Sequence, residues 1–137
     1  TAPKLIRDML KSVGVTAKNA HWCAACQYYA FYITGKPIPI KKTGLANGIY
    51  NHAQKKGKKV SYRPSVDDLI VWKFAENNYG HIGRIVEVFK AGWVFTIEGN
   101  TSSSNKNQRT GGGVFEKRRN IYHPIAKMQV RGLIGFE

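Results

Sequence analysis

The sequence predicts an α+β domain, with helices from the N-terminal side packed on a five- to six-stranded antiparallel sheet. Two observations carry this. Apolar residues recur at helical spacing as far as about residue 56, and after Pro64 they change to extended runs rich in Val, Ile, Phe and Trp. Helices first and strands afterwards argue against alternating βαβ units. With 137 residues the chain can bury one core without staples, and two cysteines are too few for a disulfide framework. One domain over residues 1–137 is expected, with 1–18 a leading helix and linker and 19–137 the core. The chain begins at Thr1 rather than Met, which reads as a processed product or a piece cut from a longer protein. No stretch reads as a signal peptide or a membrane-spanning run.

The elements follow in order. Pro3 suits a first helical turn, Leu5, Ile6, Met9, Leu10 and Val13 share a face, and Gly14 stops the helix. A second helix is expected from near Asn19 to Gly35, beyond which Pro37 and Pro39 forbid continuation. It is apolar or aromatic nearly all round and so reads as buried, with Ala24, Ala25 and Ala30 allowing close approach. A third runs from about Leu45 to Lys56. Strands are expected at Asp68 to Phe74, His81 to Phe89, Trp93 to Glu98, Val114 to Arg119 and Met128 to Phe136. Between the third and fourth of these, Gly99 to Gly113 is dominated by Gly, Ser, Thr and Asn and reads as a mobile loop at the rim of a site.

The net charge of +14 predicts attraction to a polyanion: a nucleic acid, an anionic membrane or an acidic wall polymer. Basic residues gather at Lys55 to Lys59, around Lys36, Lys41 and Lys42, and at Lys117-Arg118-Arg119. Taken singly, each cluster also reads as a solvated face.

Chemistry points to Cys23, which falls where the second helix begins, so that backbone N–H groups and the helix dipole favour a thiolate. A nucleophilic cysteine needs a base held in one tautomer by a third group. In Trp93 to Asn100, strict alternation puts Glu98 and Asn100 on one face. A four-residue turn at Phe89 to Gly92 would pair Val88 with Trp93, placing His81 opposite Asn100 and Gly83 opposite Glu98. Packing the buried helix on that face would bring Cys23 to His81. The alternative is that His81 and Glu98 are ordinary polar positions at a sheet end.

Several fragments, in order, resemble the CHAP family of cysteine- and histidine-dependent amidohydrolases and peptidases, which are related to NlpC/P60 and papain-like folds. They are Trp22-Cys23-Ala24-Ala25, Asp68 to Trp72, Gly80-His81-Ile82-Gly83, Thr96 to Ser102, Gly111 to Val114 and Gly132 to Phe136. The resemblance implies a papain-like domain that cuts an amide bond of peptidoglycan. Cys23 would be nucleophile, His81 general base, Glu98 the orienting group and Asn100 a further polar member. The Cys23 backbone N–H and the Asn19 side chain are candidate oxyanion donors. The resemblance implies no cofactor and no metal, since the acidic calcium loop of some members is replaced by Val15 to Asn19. It implies bacterial peptidoglycan and anionic wall polymers as partners, action at the cell wall, a monomer and no nucleic acid. Cys26, Arg84 and Asp67 depart from the family's usual pattern.

Other readings of the same residues exist. Cys23-Ala24-Ala25-Cys26 is formally a CxxC, yet no strand leads into it as a redox motif expects. A zinc site on His21, Cys23 and Cys26 lacks a second ligand group. A basic binding module would use Tyr28, Tyr29, Tyr32 and Trp93 as stacking platforms, although tyrosines in an apolar helix are usually core.

Overall fold

A computed structural model describes residues 4–16, 21–56, 59–61, 63–101 and 113–136. Three helices come first: α1 (Lys4–Ser12), α2 (Cys23–Tyr32) and α3 (Ala46–Lys55). Six strands follow: β1 (Lys59–Ser61), β2 (Leu69–Phe74), β3 (Gly80–Val88), β4 (Trp93–Thr101), β5 (Gly113–Asn120) and β6 (Met128–Gly135). They form one antiparallel sheet in the order β1-β6-β2-β3-β4-β5. No helix among the described residues is long and apolar enough to cross a membrane.

Five strands fall where the alternating pattern puts them. The sixth, β1, is three residues paired with the end of β6, and its identity comes from that distant partner rather than from its basic surroundings. The second helix starts at Cys23 rather than near Asn19, with Trp22 as its N-cap. It ends at Tyr32, and Gly35 follows with φ of 71° in the turn.

The sheet buries both faces. Leu69, Val71, Ile82 and Ile134 face the helices, packing with Met9, Leu10, Ala25, Ile49 and Tyr50. The strand neighbours of these residues, Ile70, Trp72 and Leu133, form a second core with Ile85, Val94, Ile121 and Met128. The two-residue period of the strands thus sorts adjacent side chains into two cores.

The β3–β4 hairpin corrects the expected turn. Residues 90–92 form a tight turn with Ala91 and Gly92 both at positive φ, and the Phe89 N–H donates to the Trp93 carbonyl at 2.8 Å. Val88 therefore pairs with Val94, one residue beyond the expected partner. A bulge at Val86 then shifts the register, so that Ile85 pairs with Thr96 and Arg84 with Ile97. Continued by one rung, that register sets Gly83 opposite Glu98, as expected, but by another route. The Gly83 position bears it out: a Cβ there would lie 2.8 Å from Glu98 Cγ.

Candidate active site

Helix α2 lies along β3 and β4 because small residues let it. A Cβ on Gly99 would come within 2.8 Å of the Cys26 sulfur and of the Trp22 ring, and Gln27 Nε2 donates to the Ile97 carbonyl at 3.0 Å. Gly99 and Ile82 therefore face the helix body. Their neighbours Glu98 and His81 alternate to the other side, where His81 packs against Trp72 with ring centroids 5.7 Å apart. This corrects the expectation that the helix covers the face bearing His81. Only the helix start, Cys23, reaches the imidazole, which belongs to the second residue of β3.

Glu98 is the electrostatic centre of this cluster. Its Oε1 accepts from His81 Nε2 at 2.7 Å and Arg119 Nη2 at 2.7 Å, and its Oε2 accepts from the Thr96 hydroxyl at 2.5 Å and Arg119 Nε at 2.8 Å. Two carboxylate oxygens offer about four acceptor sites, and all are used. Burial alone would raise the Glu98 carboxyl, but the hydrogen bonds from Arg119 and His81 overcome it and hold the group down at about 2. Glu98 is therefore an anion at every working pH.

That charge fixes the imidazole. An ionised carboxylate can only accept, so Nε2 carries a proton directed at Glu98, and the neutral ring presents its lone pair on Nδ1. His81 is fully buried, and Nδ1 makes no hydrogen bond of full geometry. The Cys23 side chain is the other group that engages the ring. Burial lowers the affinity of His81 for a proton, but the contacts with Cys23 and Glu98 raise it further, to about 9. At neutral pH the ring is an imidazolium between a carboxylate and a sulfur.

The two cysteines differ. Cys23 is the first residue of α2, and Trp22 gives the helix no side-chain cap, so first-turn N–H groups beside the sulfur remain available. Cys26 is one turn on, and burial and the charge of Cys23 push its thiol up to about 11 despite Arg84. Arg84 in turn comes 3.9 Å from Asp67 and lies over the Phe31 ring at 4.5 Å. The three positions that depart from the family pattern are therefore neighbours. Asp67 also has φ of 75°, a conformation that glycine adopts without strain.

Asn100 lies in β4 where the register with β5 shifts between Gly99 and Thr101; its side chain is outside the described part of the strand. Asn19 and most of the expected loop at the site rim fall outside the described residues. The residue that sequence reasoning missed is Arg119. It sits in a basic cluster that reads as a solvated face, yet it is only 6% exposed and grips Glu98 with a bidentate fork. The available signal was parity: Arg119 pairs with Val94 and Lys117 with Thr96, so Arg119 shares the face of Thr96 and Glu98.

The model of the CHAP domain family matches residues 15–100. The chain belongs to that family. Arg119 is beyond the matched part of the CHAP domain. Comparison with curated proteins gives no match. Two of the solved structures that share the fold illustrate the likeness. An N-acetylmuramoyl-L-alanine amidase from Staphylococcus aureus is 20% identical with a TM-score of 0.52, over 80% of this chain and 30% of that one. Ly7917 is 18% identical with a TM-score of 0.52, over 94% of this chain and 61% of that one. This chain thus spans less than two thirds of either protein.

Proposed function

We propose that this CHAP domain is a peptidoglycan hydrolase that cuts an amide bond through an acyl-enzyme on Cys23. The observation that carries the reading is the state of His81: its Nε2 is tied to an ionised Glu98, and its other side engages Cys23. In this reading the Cys23 thiolate attacks the amide carbonyl, forming a C–S bond and an oxyanion. First-turn N–H groups of α2 are its donors, with Asn19 as a further candidate. Collapse breaks the C–N bond, and the His81 Nδ1 proton leaves with the amine. Nδ1 then takes a proton from water, whose oxygen attacks the thioester and frees the carboxylate product and the thiolate. Glu98 holds the ring and its charge throughout, and Asn100 is a further polar member of the site.

The muramoyl-alanine amide is the first candidate bond, by analogy with the staphylococcal amidase, and stem- or bridge-peptide bonds are the alternatives. The net charge of +14 suits a substrate carrying anionic wall polymers, and would concentrate the enzyme at the bacterial wall. A dithiol reading is disfavoured by a Cys26 thiol pushed up to about 11.

The test is digestion of purified peptidoglycan with mass analysis of the fragments, using the wild type, Cys23→Ala and Cys26→Ala. New amino termini or freed muramoyl groups should appear with wild type and Cys26→Ala and vanish with Cys23→Ala. Activity in Cys23→Ala ends the proposal, and loss in both variants revives the dithiol.

A further inference from the structure

We propose that the cleft between the start of β4 and the end of β5 is a second, non-catalytic binding site for a single polyol or sugar unit bearing a phosphate. The cleft encloses about 270 Å³, with Trp93, Arg118, Arg119, Asn120 and His123 on its walls and the turn 124–126 as its rim. Trp93 is five residues from Glu98 along β4, about 16 Å of extended strand, so the cleft lies away from Cys23 and adjoins its cluster through Arg119.

Its chemistry is one-sided. No carboxylate lines it among the described residues. The Arg118 guanidinium lies 3.9 Å above the Trp93 ring, and His123 meets the same ring edge-on at 5.4 Å. Stacking on an indole fixes the plane of a guanidinium and so aims its fork of donors. Arg118 is exposed and has no acidic partner among the described residues. Arg119 also lines the cleft, but its guanidinium is committed to Glu98. An unpaired guanidinium beside an imidazole, in a cleft without a carboxylate, favours a phosphate, with its higher charge and additional acceptor oxygens, over a singly charged carboxylate.

The walls are built before any ligand arrives. Asn120 Nδ2 donates to the Ala91 carbonyl at 3.0 Å, its Oδ1 accepts the Tyr122 N–H at 2.9 Å, and the His123 N–H donates to the Asn120 carbonyl at 3.1 Å. Ile125 and Met128 exchange backbone hydrogen bonds at 3.0 and 2.9 Å, closing the turn. The volume lies just below the usual range for drug-sized ligands, which suits one monomer unit rather than an oligomer. The apolar part of the indole edge and Pro124 would meet the carbon skeleton of that unit.

This deepens the wall-hydrolase reading by assigning a place for a phosphate-bearing wall polymer, and it rests on that reading only for the ligand's source. Binding can therefore be measured without cleavage. The Trp93 indole N–H resonance is followed while glycerol 1-phosphate, inorganic phosphate, glucuronate and glucose are titrated into the full chain. Glycerol 1-phosphate should shift it saturably and bind more tightly than the other three. Arg118→Ala should weaken that binding about tenfold, the loss expected of a charged hydrogen-bond partner, and His123→Ala by a smaller factor. Both residues are exposed, and unmoved Trp22 and Trp72 resonances would show that each variant is folded. Equal affinity for inorganic phosphate or glucuronate overturns the assignment, as does an Arg118→Ala protein that binds like wild type. A protein that binds glycerol 1-phosphate but cuts no peptidoglycan keeps the site and loses the hydrolase reading.

Discussion

Arg119→Ala is the most informative perturbation of this domain, because it removes charge from a buried network without touching sulfur or imidazole. The substitution deletes two of the four hydrogen bonds on Glu98 and leaves those from His81 and Thr96. Removing one partner of a buried ion pair costs about 3–5 kcal/mol, since the remaining charge keeps its desolvation penalty. For a domain of this size that is a fall of roughly 10–15 °C in Tm at neutral pH. The pH dependence carries more. In the wild type Glu98 is lowered to about 2, so its contribution to stability is present above the ordinary carboxylate value and is lost as pH falls through 2. Without Arg119 that loss moves to higher pH, and acid unfolding begins earlier. Arg119→Lys keeps the charge but not the fork, and should fall between the two. Thermal unfolding measured across pH 2 to 7 reads all of this. A variant with a Tm within about 2 °C of wild type and an unchanged acid midpoint would refute the argument.

Four further outcomes are expected. At pH 7 iodoacetamide should alkylate Cys23 and spare Cys26, whose thiol is pushed up to about 11; peptide mapping that finds Cys26 modified first would reverse their ranking. Hydrolysis should persist through neutral pH and fall as pH rises through about 9, where His81 loses its proton, and a decline centred near its ordinary value would show that Cys23 and Glu98 do not raise it. The stability contributed by the same pairing is complete below the ordinary histidine value and is lost over that same rise, which urea unfolding between pH 6 and 10 would register. Gly83→Ala should cut kcat/KM by about tenfold or more while leaving the fold intact, because its Cβ would press 2.8 Å from Glu98 Cγ and displace the carboxylate from His81; wild-type activity would mean that Glu98 has room to move.

Much of the site was legible because it rests on local rules. An apolar run after a glycine-stopped amphipathic helix places Cys23 at a helix start, and strict alternation puts Glu98 on the face of Thr96. These follow from periods of 3.6 and 2, which every residue carries with it. The register of β3 on β4 was reached by a turn that the chain does not use, and a bulge at Val86 supplied the missing residue. Turn and bulge compensate only in three dimensions, where Gly83 must make room for Glu98.

What the sequence determined by itself is the order of elements, the α+β class, membership of the CHAP domain family, and the difference between a cysteine at a helix start and one a turn inside. The tertiary structure alone decided which side of the sheet the helix covers, that three unusual positions at Asp67, Arg84 and Cys26 are neighbours, and that one arginine of a basic run is buried on Glu98. The reason is physical. Charge in a sequence is a property of a residue, but its effect depends on what dielectric surrounds it and which carboxylate it meets, and both are set by strands that pair across 21 residues of chain.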